Sequence, residues 1–524
     1  MNTSFKRKAL TCAVLAGLGV AGSAEAVNLN QNNTGQVLIF PYYTTQANSG
    51  NAYNTYVSIT NTQTNAKLLK VRFREGKTSA EVLDFNLYLS PNDMWVAALV
   101  PDGQTANDPA RLIPAGDLSC TDPIIPAAGV PFVNFAYANA PDSLPGTTLD
   151  RTREGYIEVF EMGSLSGAAA ANVTHPVGLP TAAPTGCAAM RSPDGITAPA
   201  SLTAANFLTP TGGLYGMGTL INVANGADFG YTADALDNYW LTGAVYSGVG
   251  TASPTLGGVQ ASVGGAGAVG LSLRIVNGLA VADGFGPGAS LGSAAARSVA
   301  SVWMHTAVMN DYILDTGTLS NTDWVMTFPI KREFVNATTA GTPFSAVLTT
   351  AGACETALFT IFNRDEQSVI PPAIGFSPQA PGGAAGTGVL CWESTVLSFG
   401  NGVAHTPTST SAASAVLGSK NKTFVSIQNG TTTPYQNGWA LVTFTGASAT
   451  TTGLASIGGA NMDQTGASVA PAGGRTYLGL PVTGFMVRTL NNNAVSCSTS
   501  SGGTATCQGN YSTLYRHAYR DQAQ

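Results

Sequence analysis

Residues 55–60 (TYVSIT), 61–65 (NTQTN), 67–74 (KLLKVRFR) and 81–89 (EVLDFNLYL) follow one another as alternating runs separated by turn-forming residues. In the last run Leu83, Phe85, Leu87 and Leu89 share one face, and Asp84, Asn86 and Tyr88 share the other. The two runs on either side of NTQTN carry the signature of a hairpin. Ser90-Pro91-Asn92-Asp93 then turns the chain into a further run at 94–100. Short alternating strands at this spacing predict a sandwich with one buried face.

The same pattern extends outward along the chain. Residues 36–43 (QVLIFPYY) form an apolar run broken by Pro41, and 155–162 (GYIEVFEM) alternates. Strand-like runs recur at 219–224, 271–276, 324–329, 357–363, 423–428, 438–444 and 480–489. Helical spacing is confined to 293–305 and 233–240. Between the strands lie tracts rich in Gly, Ala, Pro, Ser and Thr, at 195–213, 248–270, 371–388, 406–419 and 446–474, which read as surface loops. The expected fold is all-β, mainly antiparallel, built of Ig-like or β-sandwich units with long Gly/Ala/Ser/Thr-rich loops. The loops suggest units at 27–200, 201–345 and 346–524.

The first residues read as an export signal. Lys6, Arg7 and Lys8 precede an apolar stretch at 9–21, and Ala24-Glu25-Ala26 supplies a small-x-small cleavage pattern, so residues 1–26 read as a signal peptide and the mature chain as starting at Val27. About 13 apolar residues are too few to cross a ~30 Å hydrocarbon core, and no later stretch offers ~20, so no transmembrane segment is expected in the mature chain. Removing Lys6, Arg7, Lys8 and Glu25 from 23 basic and 29 acidic residues leaves 20 and 28, a net charge of −8. That weakly acidic balance, with 10% charged residues and no Lys/Arg cluster, disfavours nucleic acid as a partner. Residues 27–34 are polar and lead into the apolar strand at 36–40, which either pairs within its own sandwich or adds to the edge of a neighbouring copy.

Six cysteines follow the cleavage point: Cys120, Cys187, Cys354, Cys391, Cys497 and Cys507. An even number outside the cytoplasm reads as disulfides, with fifteen pairings open. Neighbours in sequence are favoured, giving Cys120–Cys187, Cys354–Cys391 and Cys497–Cys507. No Cys-x-x-Cys occurs, which disfavours zinc.

Motifs that carry chemistry are sparse. Residues 265–270 spell G-x-G-x-x-G, but a Gly-rich tract precedes them and a strand-like run follows, the reverse of a dinucleotide fingerprint. Residues 288–292 spell G-x-S-x-G around Ser290, with loop-like residues upstream where a nucleophile elbow needs a strand. The four histidines, His175, His305, His405 and His517, are not spaced as zinc ligands. Glu158 and Glu161 point to opposite faces of a strand, so they read as solvated rather than as a glycosidase pair. Asp228, Asp234 and Asp237 lie in GADFGYTADALDNYW and offer oxygen ligands for calcium, the one cofactor the sequence leaves open.

The stretch at 35–100, with QVLIFPYYTT, KVRFREG and EVLDFNLYLSPNDMW, resembles uncharacterised secreted proteins of Gram-negative bacteria. REGYIEVFEMG (153–163), GTLINVANG (218–226) and TDWVMTFPIKREF (322–334) extend the resemblance, which implies secretion or cell-surface location and no assigned chemistry. Composition and export lead to a non-enzymatic structural protein of the cell surface: a surface-layer-like, filament or matrix subunit. Its expected partners are further copies or other cell-surface components. A secreted adhesin or glycan-binding module is the alternative, and a secreted hydrolase the third reading.

Overall fold

A computed structural model describes residues 26–521 apart from 49, 177, 179–181, 241–242, 259–261, 264–268, 277–278, 287–290, 366–367, 370–386, 401–412, 428–435, 445–455, 459, 462–475 and 499–503. The chain is mostly strand, with several antiparallel sheets and two α-helices among the described residues.

Four large sheets form two sandwiches. The inner N-terminal sheet has eight strands; its main path runs Asn28–Leu29, Asp234–Asp237, Val37–Thr44, Glu154–Leu165, Ala66–Glu75, Glu81–Leu89 and Thr121–Asp122. Facing it, the outer N-terminal sheet has six, ordered Val130–Pro131, Ala110–Ile113, Met94–Pro101, Asn54–Asn61, Leu214–Asn222 and Ala227–Thr232. The inner C-terminal sheet is ordered Lys422–Ser426, Ser394–Gly400, Asn321–Thr327, Thr483–Ser498 and Thr504–Arg516. The outer C-terminal sheet centres on Glu355–Asn363, Asn437–Phe444 and Ala307–Ile313. One pairing in this scheme is parallel, Ser394–Gly400 with Lys422–Ser426.

The fully apolar run VLIFPYYT is buried along its whole length because both faces of its sheet are covered. Leu38 and Phe40 join the core between the N-terminal sheets, while Val37 and Ile39 join the core that continues into the C-terminal half. Val325, Val396, Phe485 and Val487 of the inner C-terminal sheet pack back into the N-terminal core. Pro41 can sit in a central strand because Pro41 and Tyr42 together face Tyr156, between the pairs Gly155↔Tyr43 and Ile157↔Phe40. Such a bulge needs no ladder donor from proline. Gly218 faces inward where the Tyr231 ring lies, 2.2 Å from where a Cβ would stand, so a side chain there would displace the ring.

Several expectations change. Strands 54–61 and 66–75 do not form a hairpin: the first pairs with Met94–Pro101 and Leu214–Asn222, the second with Glu81–Leu89 and Glu154–Leu165. Their connection arches between two sheets, because both strands must present an apolar face to the same core. Helical spacing holds at Ala294–Val302, capped by the Ser293 hydroxyl accepting from the Ala296 amide at 3.0 Å. It fails at 233–240, where Asp234–Asp237 is a strand drawn into the inner sheet by pairing with Val37–Thr44. The boundaries at 200/201 and 345/346 do not follow the sheets: 214–237 lies in the N-terminal sandwich and 307–327 in the C-terminal one. Residues 27–29 are held within the chain's own sheets. Asn28–Leu29 pairs with Asp234–Asp237, and Val27, itself buried, donates to Leu271 O at 3.0 Å.

Cys120–Cys187 and Cys354–Cys391 are disulfides, closing 67 and 37 residues of sequence. The side chains of Cys497 and Cys507 lie outside the described residues. No helix among the described residues is long and apolar enough to cross a membrane.

Candidate functional site

The polar face of the inner N-terminal sheet, expected to meet water, is sealed. Lys70 pairs with Asp84, Arg72 with Glu81 at 2.5 Å and Arg74 with Glu158 at 3.0 Å, while on the opposite face of the sheet, in register with Leu89, Lys67 pairs with Glu161 at 2.6 Å. Residues 246–256 close over part of this row. Lys70 donates to Gly248 O at 3.0 Å, Arg72 to Ser253 O at 3.1 Å, and the Asn86 amide to Ser247 O at 3.2 Å. Burial pushes the Asp84 carboxyl up to about 6, with the Glu81 charge adding to it, despite Lys70 beside it. Burial likewise lowers Lys70. Desolvation outweighs attraction in this pair, as expected where two charges leave water together. Glu158 and Glu161 are therefore buried ion-pair partners, not solvated surface groups. The alternation in the sequence separated the faces correctly but carried no sign that a distant loop would cover the polar one.

The calcium candidates do not converge. Asp228 is exposed on Ala227–Thr232, while Asp234 and Asp237 lie on the next strand. The Asp234 carboxylate is taken by Trp303 Nε1 at 3.3 Å, by the Thr483 hydroxyl and by Arg516 at 3.3 Å. No group of three or more metal-ligating side chains stands together among the described residues. Ser290 lies outside the described residues, as do 265–268 of the G-x-G-x-x-G run and His405. His305 is buried, its Nδ1 2.5 Å from Asp521, and stacks on Tyr519. His175 is half-buried, 3.0 Å from Ala182 O and 3.8 Å from Asp93.

A cavity of about 140 Å³ lies where the N-terminal sandwich meets the segment after Asn321–Thr327. Lys77, Asp142, Lys331, Arg332 and Glu393 supply its charged lining, with Thr78 and Asn336 also polar, and Val335, Leu348, Ala353 and the disulfide-bonded Cys391 its apolar part. Arg332 grips Asp142 through two nitrogens at 2.7 and 2.9 Å. The Lys331 ammonium, buried, donates to Ala353 O at 2.5 Å and lies 5.7 Å from the Phe328 and Phe344 rings. Glu393 is also buried, and its Oε2 has no hydrogen-bond partner. Burial pushes this carboxyl up to about 8, and burial lowers Lys331. Of these residues the sequence marked Cys391 alone, as a disulfide cysteine, because the turns and loops that carry the others are brought together only by folding.

The second surface of note is the exposed side of the outer N-terminal sheet. Tyr56, Ser58 and Thr60 stand in register with Thr219, Met217 and Tyr215 on one side and with Ala98, Val96 and Met94 on the other. Ile221, Gly230 and Ile113 continue the same face. Tyr56, Met94 and Met217 are 45%, 53% and 43% exposed. Among the described residues, charged side chains enter this face near its margins, through Asp228 and Arg111. Comparison with protein families, curated proteins and solved structures returns no match.

Proposed function

We propose that this chain is a non-enzymatic structural protein of the extracytoplasmic cell surface, and that it associates with further copies of itself. The uncharged exposed face of the outer N-terminal sheet carries this reading. A Tyr, Met, Val, Ile and Thr face stacks on an identical face without stranding a charge, whereas a charged partner finds little there to pair with. The two disulfides and the export signal read at residues 1–26 support the location.

Four strands ~4.8 Å apart and about seven residues long at ~3.3 Å per residue present roughly 450 Å². That is below the ~800 Å² per partner of a standard stable interface. One such contact is weak and closes two copies face to face, so a layer or filament needs a second, different contact on each copy. Sedimentation of residues 27–524 over a wide concentration range tests the reading. Mass should climb with concentration from monomer to the face-to-face dimer. Tyr56→Lys with Met217→Glu should keep the protein folded and monomeric. A dispersed wild-type monomer at high concentration would sink the proposal.

An adhesin is the second reading, supported by Trp439, 38% exposed and stacked on Phe362 with ring centroids 4.3 Å apart. Such a platform suits the apolar face of a sugar ring. Quenching of Trp439 fluorescence by an oligosaccharide, lost in Trp439→Ala, would favour it.

A further inference from the structure

Lys67, Lys70, Arg72, Arg74 and Arg151 each have a carboxylate within ion-pair distance. Lys331 is one of three buried cations, with Arg153 and Lys422, that have none among the described residues, and the one of them that lines the cavity. Its ammonium rests on the carbonyls of Ala353 and, at 3.5 Å, Cys391. An ammonium has three donors, so capacity remains. Buried charge without a counter-ion is costly, and here it borders a cavity about ten times the ~10–15 Å³ a single water needs. On the same wall Lys77 uses one donor, to Pro145 O at 3.1 Å. Asp142 is committed to Arg332. The lining therefore carries an excess of cations and an apolar floor of Val335, Leu348 and Ala353.

We infer that this cavity binds a small aliphatic carboxylate, its carboxylate on the Lys331 ammonium and its alkyl part against Val335, Leu348 and Ala353. Glu393 then acts as the gate. Ionised, it competes with the ligand for Lys331 and repels it. Protonated, it no longer opposes the ligand's charge. The groups acting on it are Lys331 and Arg332 from the turn after Asn321–Thr327, Glu75 at the end of Ala66–Glu75 and Ser79 in the turn that follows, with Lys77 and Asp142 lining the same cavity. Lys331 itself also feels Glu355, whose carboxylate is held by Ser345 and the Ala346 amide. Glu393 is pushed up to about 8 by burial, so binding should be full at neutral pH and weaken above it. Each pH unit beyond should cost about tenfold, the slope for one proton taken up. Deprotonation of Lys331 acts in the same direction.

Calorimetric titration of residues 27–524 with acetate, butyrate, inorganic phosphate and sulfate, at pH 6.5, 7.5, 8.5 and 9.5, decides the matter. Butyrate should bind more tightly than acetate, and both should weaken above pH 8. Lys331→Met should lose roughly 10- to 100-fold in affinity, the range for a hydrogen bond to a charged group. Glu393→Gln should bind butyrate at pH 6.5 and show a flatter pH profile. If Lys331→Met does not fold, the Glu393→Gln profile decides, and an unchanged slope overturns the assignment. It is equally overturned by no carboxylate binding, which leaves a water-filled cavity, by phosphate or sulfate binding as well as butyrate, or by unchanged affinity in a folded Lys331→Met.

Discussion

Acid should weaken the C-terminal sandwich through His517. Its ring is 5% exposed; Nε2 lies 2.9 Å from Val325 O and Nδ1 lies 3.2 Å from the Asn310 amide nitrogen. The neutral tautomer with the proton on Nε2 satisfies both contacts: it donates to the carbonyl and accepts from the amide. Burial pushes the imidazole down to about 4, although the Val325 carbonyl alone would favour the charged ring. The unfolded chain has the ordinary value near 6.5, so between pH 6.5 and 4 the unfolded state holds a proton that the folded state refuses. Stability from this group is therefore complete above pH 6.5 and is lost as pH falls. At ~1.4 kcal/mol per unit the loss is about 2 kcal/mol at pH 5 and about 3 kcal/mol by pH 4. Urea unfolding of wild type and His517→Gln at pH 7.5, 6 and 5 isolates the effect, because His305 and the carboxylates titrate in both. The variant starts less stable through lost hydrogen bonds, but its stability should fall by about 2 kcal/mol less over that interval. Parallel curves, or an NMR titration of the His517 ring centred near 6.5, would refute the reasoning.

Glu161→Ala strands Lys67, whose side chain is fully buried, and should cost about 3–5 kcal/mol by chemical denaturation; a cost under 1 kcal/mol would mean that the pair contributes little. Reducing Cys120–Cys187 and Cys354–Cys391 should lower stability by up to ~4 kcal/mol each on the chain-entropy account, read as a drop in the denaturation midpoint with dithiothreitol. Deleting residues 27–44 should give insoluble or unfolded protein, since Val37–Thr44 is hydrogen-bonded on both sides and buried on both faces; a folded product by circular dichroism would contradict the central placement. Mass spectrometry of the secreted chain should find Val27 as its first residue.

Much of the strand set was legible from alternation, since period two follows from the backbone pleat and needs no partner to be seen. The runs at 155–162, 357–363 and 438–444 coincide with strands, and the capped helix at Ala294–Val302 was visible as helical spacing behind Ser293. The pairing of neighbouring cysteines came from proximity in the chain, and two of the three pairs are seen as disulfides. What strands pair with was a different matter. NTQTN looks the same whether the chain doubles back in one sheet or arches to another, because the turn residues satisfy either path and the choice lies in the far side of the core. The charged face of Ala66–Glu75 read as solvent-exposed until residues 246–256, almost two hundred positions away, were folded over it. The cavity around Lys331 and Glu393 has no motif because its walls come from residues 77, 142, 331, 348 and 393, and only tertiary packing sets the desolvation that distinguishes these charges from ordinary surface ones.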